Sequence, residues 1–316
     1  MRRLRAGVLG LGEMGRHHAR VLAHLDGIEL VGVADPRGDR FGCARGLACL
    51  AGVDDLLKLG LDLCVVAVPT AEHEAAGLRL AEAGVHTLIE KPLAADRDGA
   101  RRLVDAFEAA GLVGCVGHIE RCNPALRSLR SRLEAGELGA LYQIATRRQG
   151  PFPRRVRDLG VVKDLATHDL DLTAWVAGAP FASVSARTAR MSGRPYEDLV
   201  AVTGLLTDGT VTNHLVNWVT PVKERVTTVT GERGCFVADT LTADLTFYGN
   251  PTSASRRALP KPEPLVTQAA AFRDAVRDGS GEIVTMREGL AVIEVTQACL
   301  ESASKGVTVD LCDGPR

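Results

Sequence analysis

Near the N-terminus the apolar run LRAGVLG passes without a break into Gly10-Leu11-Gly12-Glu13-Met14-Gly15, and then into RHHARVLAHL, which carries Val21, Leu22 and Leu25 at helical spacing. Strand, G-x-G-x-x-G turn and helix in that order restrict the fold more than any other stretch of the chain. The first glycine allows the tight turn, the second lets backbone approach a pyrophosphate, and the third lets the helix pack closely on the strand. The unpaired N–H groups and dipole at the helix start then favour the phosphate charge. Gly10, Gly12, Glu13, Met14 and Gly15 are therefore candidate contacts to a dinucleotide. The next apolar run, IELVGVADP, ends in Asp35, where a carboxylate can hydrogen-bond the adenosine ribose hydroxyls. An acid there favours NAD, because it would repel a 2′-phosphate; Arg37, two residues on, leaves NADP open. A turn aspartate before Pro36 would explain Asp35 by itself, but not the strand–turn–helix–strand order. A flavin or a methyl donor could use a similar turn.

The alternation continues through LDLCVVAVPT, EHEAAGLRLAEAG, VHTLIEKPLA, ARRLVDAFEAAG and VGCVGHIERCNP. Near-continuous apolar strands between helices predict an α/β domain, a doubly wound parallel (Rossmann) sheet, over residues 1–123. Ligands of such sheets bind beyond the carboxyl ends of the strands. That rule gathers Pro69, Thr70 and His73, then Glu90 and Lys91, then His118 to Asn123 at the rim that carries the glycine turn. After Pro124 the rhythm stops. An amphipathic helix, ALRSLRSRLEAG, is followed by Val- and Thr-rich alternating runs, with Asp208-Gly209 as a hairpin signal. Residues 124–316 are expected to form an α+β substrate and oligomerisation domain with a mainly antiparallel open sheet. The last helix, about 286–305, is expected to pack back on the first domain.

Within that second half, GVVKDLATHDLDLTAW (160–175) reads as a helix. At about 100° per residue, Asp164, His168, Asp171 and Trp175 share one face, roughly 60° wide, and Asp169 lies about 140° from Asp164. A carboxylate one turn before an imidazole on a largely apolar helix is costly to bury without a purpose. A core histidine satisfied by its aspartate is the alternative reading. The preceding segment, GPFPRRVRDLG, is a loop carrying Arg154, Arg155 and Arg157, with Arg147 and Arg148 upstream; such guanidinium forks could hold a diphosphate. Lys163 is read equally as a substrate contact or as an exposed helix-start lysine, and Asp171 as substrate contact or helix support.

The 316 residues carry a net charge of −1, which argues against a nucleic-acid or anionic-membrane partner acting through bulk charge. The eight cysteines include no CxxC pair, and several lie in apolar runs where a free thiol behaves as a small hydrophobe. No apolar run approaches the ~20 residues of a membrane span, and a strand-like run starts directly after MRRLR, which is not a secretory signal. A reduced, cytoplasmic protein is the expectation.

The glycine turn, the acidic strand end, E-K-P at 90–92, GHIERCNP and GVVKDLATHDLDL together resemble the glucose–fructose oxidoreductase / inositol dehydrogenase (Gfo/Idh/MocA) family. The resemblance covers nearly the whole chain. It implies that Lys91 bridges the substrate hydroxyl and the nicotinamide ribose, that the Lys91-Pro92 bond is cis, and that His168 is the acid/base, with Asp164 contacting substrate or imidazole. It also places Asn123 near nicotinamide and substrate, favours a metal-free site over a metal held by His118, Glu120 and His168, and implies a homodimer or homotetramer formed through the open sheet. Cys122 stands where the family often shows Phe.

These roles suit the chemistry. Oxidising a secondary alcohol needs a base near pH 7 and an electropositive group for the developing alkoxide; a neutral histidine and a rim lysine supply them. GHIERxNP and GPFPxRxRDxGVVxDLATHDLD resemble the branch acting on C3 of UDP-N-acetylglucosamine. The leading reading is therefore an NAD(P)-dependent oxidoreductase acting on a nucleotide sugar. A dehydrogenase or ketoreductase of a free sugar, cyclitol or aminosugar is the alternative within the enzyme class. An inactive NAD-binding regulator is the alternative outside it.

Overall fold

The computed structural model describes residues 2–153, 156, 159–250, 253–257 and 259–311. It contains two compact units, one made of residues 1–119 and 262–293, the other of residues 120–261 and 294–316. The division differs from a single boundary at 123/124. The chain leaves the first unit four residues earlier and returns to it after Lys261.

The first unit holds a six-stranded parallel sheet built from β1 (Leu4–Leu9), β2 (Ile28–Ala34), β3 (Cys49–Leu50), β4 (Leu63–Val66), β5 (His86–Ile89) and β6 (Gly114–Val116), in the order β3-β2-β1-β4-β5-β6. Its central strands β1, β4 and β5 are buried on both faces over most of their length, as their unbroken apolar runs require. With period two, Leu63, Val65 and Leu88 enter one core while Cys64, Val66 and Ile89 enter the other. Helices α1 (Glu13–Leu22) and α7 (Pro264–Asp278) cover the first face, α7 through Leu265, Ala269 and Phe272. On the opposite face lie α3 (His73–Glu82) and α4 (Arg97–Ala109), with Val284 and Met286. A short helix, α2 (Val53–Leu57), precedes β4.

Two links explain why 262–293 belongs here. Arg20 of α1 pairs with Glu263, and Val116 N–H donates to Val284 O (2.9 Å), beside an antiparallel bridge from Cys115 to Thr285. The final helix, α8 (Met286–Lys305), contributes its residues up to Ile293 to this unit; from Glu294 onward it is grouped with the second unit.

The second unit is a nine-stranded mixed sheet with helices on one face. In chain order it comprises α5 (Pro124–Glu134), β7 (Leu141–Pro151), a π-helical turn (Val162–Ala166), α6 (Thr167–Ala177), β8 (Phe181–Ala189), β9 (Leu199–Leu206), β10 (Val211–Asn217), β11 (Val219–Gly231), β12 (Gly234–Asp239), β13 (Asp244–Asn250), β14 (Ser253–Arg257) and, after α8, β15 (Val309–Asp310). The sheet order is β14-β13-β12-β11-β7-β10-β9-β8-β15, and every neighbouring pair is antiparallel except β7 with β10. The hairpin signal holds: Gly209 has φ 90°, and Asp208 Oδ1 accepts Thr210 N–H. Val200, Val202, Leu206 and Val216 face the helices, while Leu205, Val211 and Leu215 face outward with Tyr142. Helix α6 lies between two apolar clusters. Ala166 and Leu170 enter one, Leu172 and Val176 the other. Among the described residues no helix is long and apolar enough to cross a membrane.

Candidate active site

In the first unit the glycine turn has the geometry that its spacing demands. Gly10 has φ 89°, in the region that glycine favours, and a Cβ there would lie 2.6 Å from Ala67 O. A Cβ on Gly15 would lie 1.8 Å from Gly10 O, so only glycine closes the turn; around Gly12 a Cβ would meet no protein atom within 4 Å. No side chain caps the start of α1. Its N–H groups and the free space over Gly12 thus form a cradle of the kind a pyrophosphate fills. Glu13 is exposed and Met14 half-buried beside it.

Asp35, at the end of β2, accepts Leu11 N–H through Oδ2 (2.9 Å) and Arg37 N–H through Oδ1 (2.8 Å). Burial would raise its pKa, but these N–H groups and the guanidiniums of Arg37 and Arg40 outweigh that and hold it below the usual value. The carboxylate stays ionised and tied to the glycine turn, with acceptor capacity left for a ribose. Arg37 is exposed, its Nε 3.7 Å from Asp35 Oδ1. The residues of this turn fit a dinucleotide.

Pro69 is exposed and Thr70 half-buried just beyond β4, and Lys91 is half-buried just beyond β5, with a cis bond to Pro92. Two neighbours expected to touch the cofactor have other work. His73 is 1% exposed, with Nδ1 2.9 Å from Pro92 O and Nε2 3.0 Å from Val68 O, so the ring ties two rim loops together. Glu90 is also buried, its Oε1 2.7 Å from His18 Nε2 and its Oε2 accepting Lys91 N–H. Both act from beneath the rim.

In the second unit the expected uniform helix is interrupted. Residues Val162–Ala166 form a π-turn before α6. Bonding from i to i+5 widens that turn, so the 100° phase does not carry across it and the stripe linking Asp164 to His168 follows a different arc. Such turns are frequent at functional sites. Glu197 helps set its start: Oε1 accepts Val162 N–H (3.2 Å) and its carbonyl accepts Val161 N–H (2.9 Å). A Cβ on Gly160 would collide with the same carboxylate. Asp164 is buried, while Lys163 and His168 are half-buried, and the Nδ1 side of the His168 ring is enclosed.

The other acids of this segment are committed to arginines. Asp171, read from the sequence as substrate contact or helix support, has a side chain 0% exposed and receives Arg121 Nε (3.0 and 3.1 Å) and Nη2 (2.6 Å). That leaves no surface for a ligand, and Asp171 supports the helix. Asp169 takes Arg148 Nε at 2.7 Å, and Arg148 Nη1 reaches Glu120 Oε1 at 3.0 Å. Burial raises the Asp169 pKa against the pull of Arg148, and the two carboxylates outweigh burial to raise that of Arg148. Arg147 and Arg148 are therefore not loop residues. Both belong to β7, where Arg147 pairs with Glu224 on the exposed face.

Asn123 is also reassigned. β6 ends at Val116, and Asn123 caps α5, with Oδ1 accepting Ala125 N–H (3.0 Å) and Nδ2 donating to Thr240 O (3.0 Å). Its polar atoms are used within the second unit. Trp175 lies under the guanidiniums of Arg121 and Arg130, and Trp218 packs edge-on to Phe152 beneath Arg194. Arg154, Arg155 and Arg157 lie outside the described residues. Sequence reasoning missed His18, Arg121 and Glu197; for Arg121 the one available hint was a lone arginine inside GHIERCNP.

Two family models match the chain: the oxidoreductase family, NAD-binding Rossmann fold, over residues 4–118, and the GFO/IDH/MocA C-terminal domain over residues 126–237. UDP-N-acetylglucosamine 3-dehydrogenase of Acidithiobacillus ferrooxidans is 37% identical over 214 residues, 66% of each chain. The scyllo-inositol 2-dehydrogenase (NAD(+)) of Bacillus subtilis is 30% identical over 203 residues, 61% of this chain and 59% of that one. The matched stretch spans less than two thirds of each of these curated relatives. A solved structure of the Acidithiobacillus ferrooxidans enzyme matches with TM-score 0.88 and 30% identity, covering 96% of this chain and 99% of that one. The WlbA dehydrogenase of Bordetella pertussis, solved with NADH and UDP-GlcNAcA, matches with TM-score 0.83 and 25% identity, covering 98% and 99%.

Proposed function

This chain belongs to the Gfo/Idh/MocA family of NAD-binding oxidoreductases, and from that premise we propose that it interconverts a secondary alcohol and a ketone at C3 of a nucleotide-linked sugar of the UDP-N-acetylglucosamine kind. The observation that carries the reading is the match, at 30% identity, to nearly the whole of a UDP-N-acetylglucosamine 3-dehydrogenase structure. When bound, the dinucleotide supplies the two-electron acceptor or donor.

The chain's own residues bind, orient and move the proton. The Gly10–Gly15 turn and the start of α1 hold the pyrophosphate, and Asp35 holds the adenosine ribose. Asp35 favours NAD; Arg37 keeps NADP within reach. Thr70, Pro69 and Lys91 form the rim on the nicotinamide side. His168 Nε2 accepts the C3 hydroxyl proton during oxidation and returns it during reduction. Lys91 Nζ stabilises the developing alkoxide. Asp164 orients His168 and favours its protonated form. Arg154, Arg155, Arg157 and Lys163 hold the diphosphate.

The open face bearing Tyr142, Leu205, Val211 and Leu215 is the surface through which we propose that copies of the chain pair, as a dimer or tetramer.

The test is a substrate panel: UDP-N-acetylglucosamine, free N-acetylglucosamine and inositols, each with NAD and with NADP, followed by absorbance of the reduced nicotinamide. The nucleotide sugar gives the highest kcat/KM, and Arg154→Ala with Arg155→Ala raises its KM with little change in kcat. Faster turnover of an inositol or a free aminosugar would overturn the substrate. Tight dinucleotide binding with no alcohol oxidised would favour a regulator.

A further inference from the structure

The turn that presents Lys91 is gripped from beneath by two buried histidines that a dinucleotide fingerprint does not require. On one side His18 of α1 reaches Glu90 (Nε2 to Oε1, 2.7 Å), and the other oxygen of Glu90 accepts Lys91 N–H at 3.2 Å. On the other side His73 of α3 contacts the carbonyl of Pro92 at 2.9 Å. The space is built for this carboxylate. A Cβ on Gly117 would lie 3.0 Å from Glu90 Cδ and Oε2, so glycine leaves room for it.

A carboxylate enclosed to this degree is costly unless its neighbours compensate its charge. Burial pushes the Glu90 pKa up; the His18 hydrogen bond and charge, the Lys91 ammonium and the Lys91 N–H pull it down more strongly, and it lies below its ordinary value. Burial holds the His73 ring below its ordinary value, with Glu90 among the groups that oppose this. Among the described residues, His18 from α1, His73 from α3 and Lys91 from its own turn are titratable groups coupled to the Glu90 charge.

We propose that His18 is a positioning residue for Lys91: it keeps Glu90 ionised, and the Glu90 carboxylate then fixes the Lys91 backbone and stands as a negative charge beside its ammonium. The inference rests on the assignment of Lys91 to the reacting centre. Because α1 also begins at the glycine turn, His18 links the phosphate cradle to the lysine turn within one unit.

The experiment pairs carbon-13 NMR titration of glutamate carboxyls in the dinucleotide-free protein with pH profiles of turnover. Glu90→Gln assigns the Glu90 signal. In the unaltered protein Glu90 titrates below the ordinary value of about 4.3; in His18→Ala it rises by about one pH unit or more, and His18→Gln, which restores a neutral donor, lies between. Glu90→Gln lowers kcat about tenfold, the size of one pH unit of interaction, and His18→Ala does so as the pH falls through its raised Glu90 midpoint, while the KM for dinucleotide stays within about threefold. Below the raised Glu90 midpoint, kcat of His18→Ala falls more steeply with decreasing pH than that of the unaltered chain. A Glu90 midpoint unmoved by replacing His18 overturns the proposal, and so does a moved midpoint with a kcat profile of unchanged shape, which is the signature of a merely structural contact. Should His18→Ala fail to fold, His18→Gln and Glu90→Gln carry the same comparison. The NMR arm uses neither dinucleotide nor sugar, so its failure is distinct from failure of the sugar-dehydrogenase reading.

Discussion

Replacing Arg121 by Met removes a buried guanidinium from a fully enclosed carboxylate. Asp171 has a side chain 0% exposed and Arg121 one 10% exposed, joined at 2.6–3.1 Å. Breaking such a pair from one side costs about 3–5 kcal/mol, a large part of the roughly 5–15 kcal/mol that holds a domain folded. Replacing both partners with apolar residues of similar size is often near neutral. Arg121→Met with Asp171→Leu should therefore recover most of the loss, which gives a coupling of about 2–4 kcal/mol in a double-mutant cycle. The assay is urea unfolding at pH 7 followed by tryptophan fluorescence. Both tryptophans of the chain, Trp175 and Trp218, belong to the second unit, and Trp175 lies 5.8 Å from the Arg121 guanidinium, so the signal reads the unit that is perturbed. A cost below about 1 kcal/mol for Arg121→Met, the size expected of an exposed pair, would refute the reasoning. An Asp171→Asn variant of unchanged stability but raised sugar KM would also refute it and restore Asp171 as a substrate contact.

Three further outcomes follow from the same geometry. Gly12→Ala, where the added Cβ meets no protein atom, leaves the thermal midpoint unchanged and weakens dinucleotide binding about tenfold or more in calorimetric titration; Gly15→Ala, with its Cβ 1.8 Å from Gly10 O, lowers the midpoint itself. Burial pushes the His214 ring down to about 4. Its contribution is full above the unfolded value of about 6.5 and declines by about 3 kcal/mol as pH falls to 4, so His214→Leu should flatten the pH dependence of urea stability in that window. Asn123→Ala removes the α5 cap and costs about 0.5–2 kcal/mol, while the Kd for dinucleotide stays constant; a large rise in that Kd would return Asn123 to the cofactor site.

What could be read from the sequence was local. Gly10, Gly12, Gly15 and Asp35 stand in a fixed order around one strand–helix junction, and each needs only its neighbours in the chain to be understood. Lys91 was legible because a strand end is legible. The sheet domain was legible by alternation, which the inward Val200, Val202 and Leu206 obey against the outward Leu205. What failed was non-local or depended on an assumed helical phase. The partner of Asp171 lies fifty residues away, and that of Glu90 seventy-two; no spacing rule pairs them. The π-turn at Val162–Ala166 is invisible to a fixed 100° periodicity. The return of α7 to the first unit is carried by Leu265, Ala269 and Phe272, three positions on an ordinary amphipathic helix that names no partner. Asn123 was misplaced because a motif was read as a strand end, whereas its side chain follows the rule for helix caps.

The proposal that His168 moves the proton and Lys91 supports the oxygen leaves most of the dinucleotide affinity to the glycine turn and Asp35. The most direct measurement compares kcat with UDP-N-acetylglucosamine against dinucleotide Kd in the unaltered chain, His168→Ala and Lys91→Ala. Loss of kcat by about 10²–10⁴-fold in His168→Ala, the range of general acid–base catalysis, and a comparable loss in Lys91→Ala, with Kd within a few-fold throughout, is the predicted result. Turnover within about tenfold of the unaltered chain in either variant would contradict it.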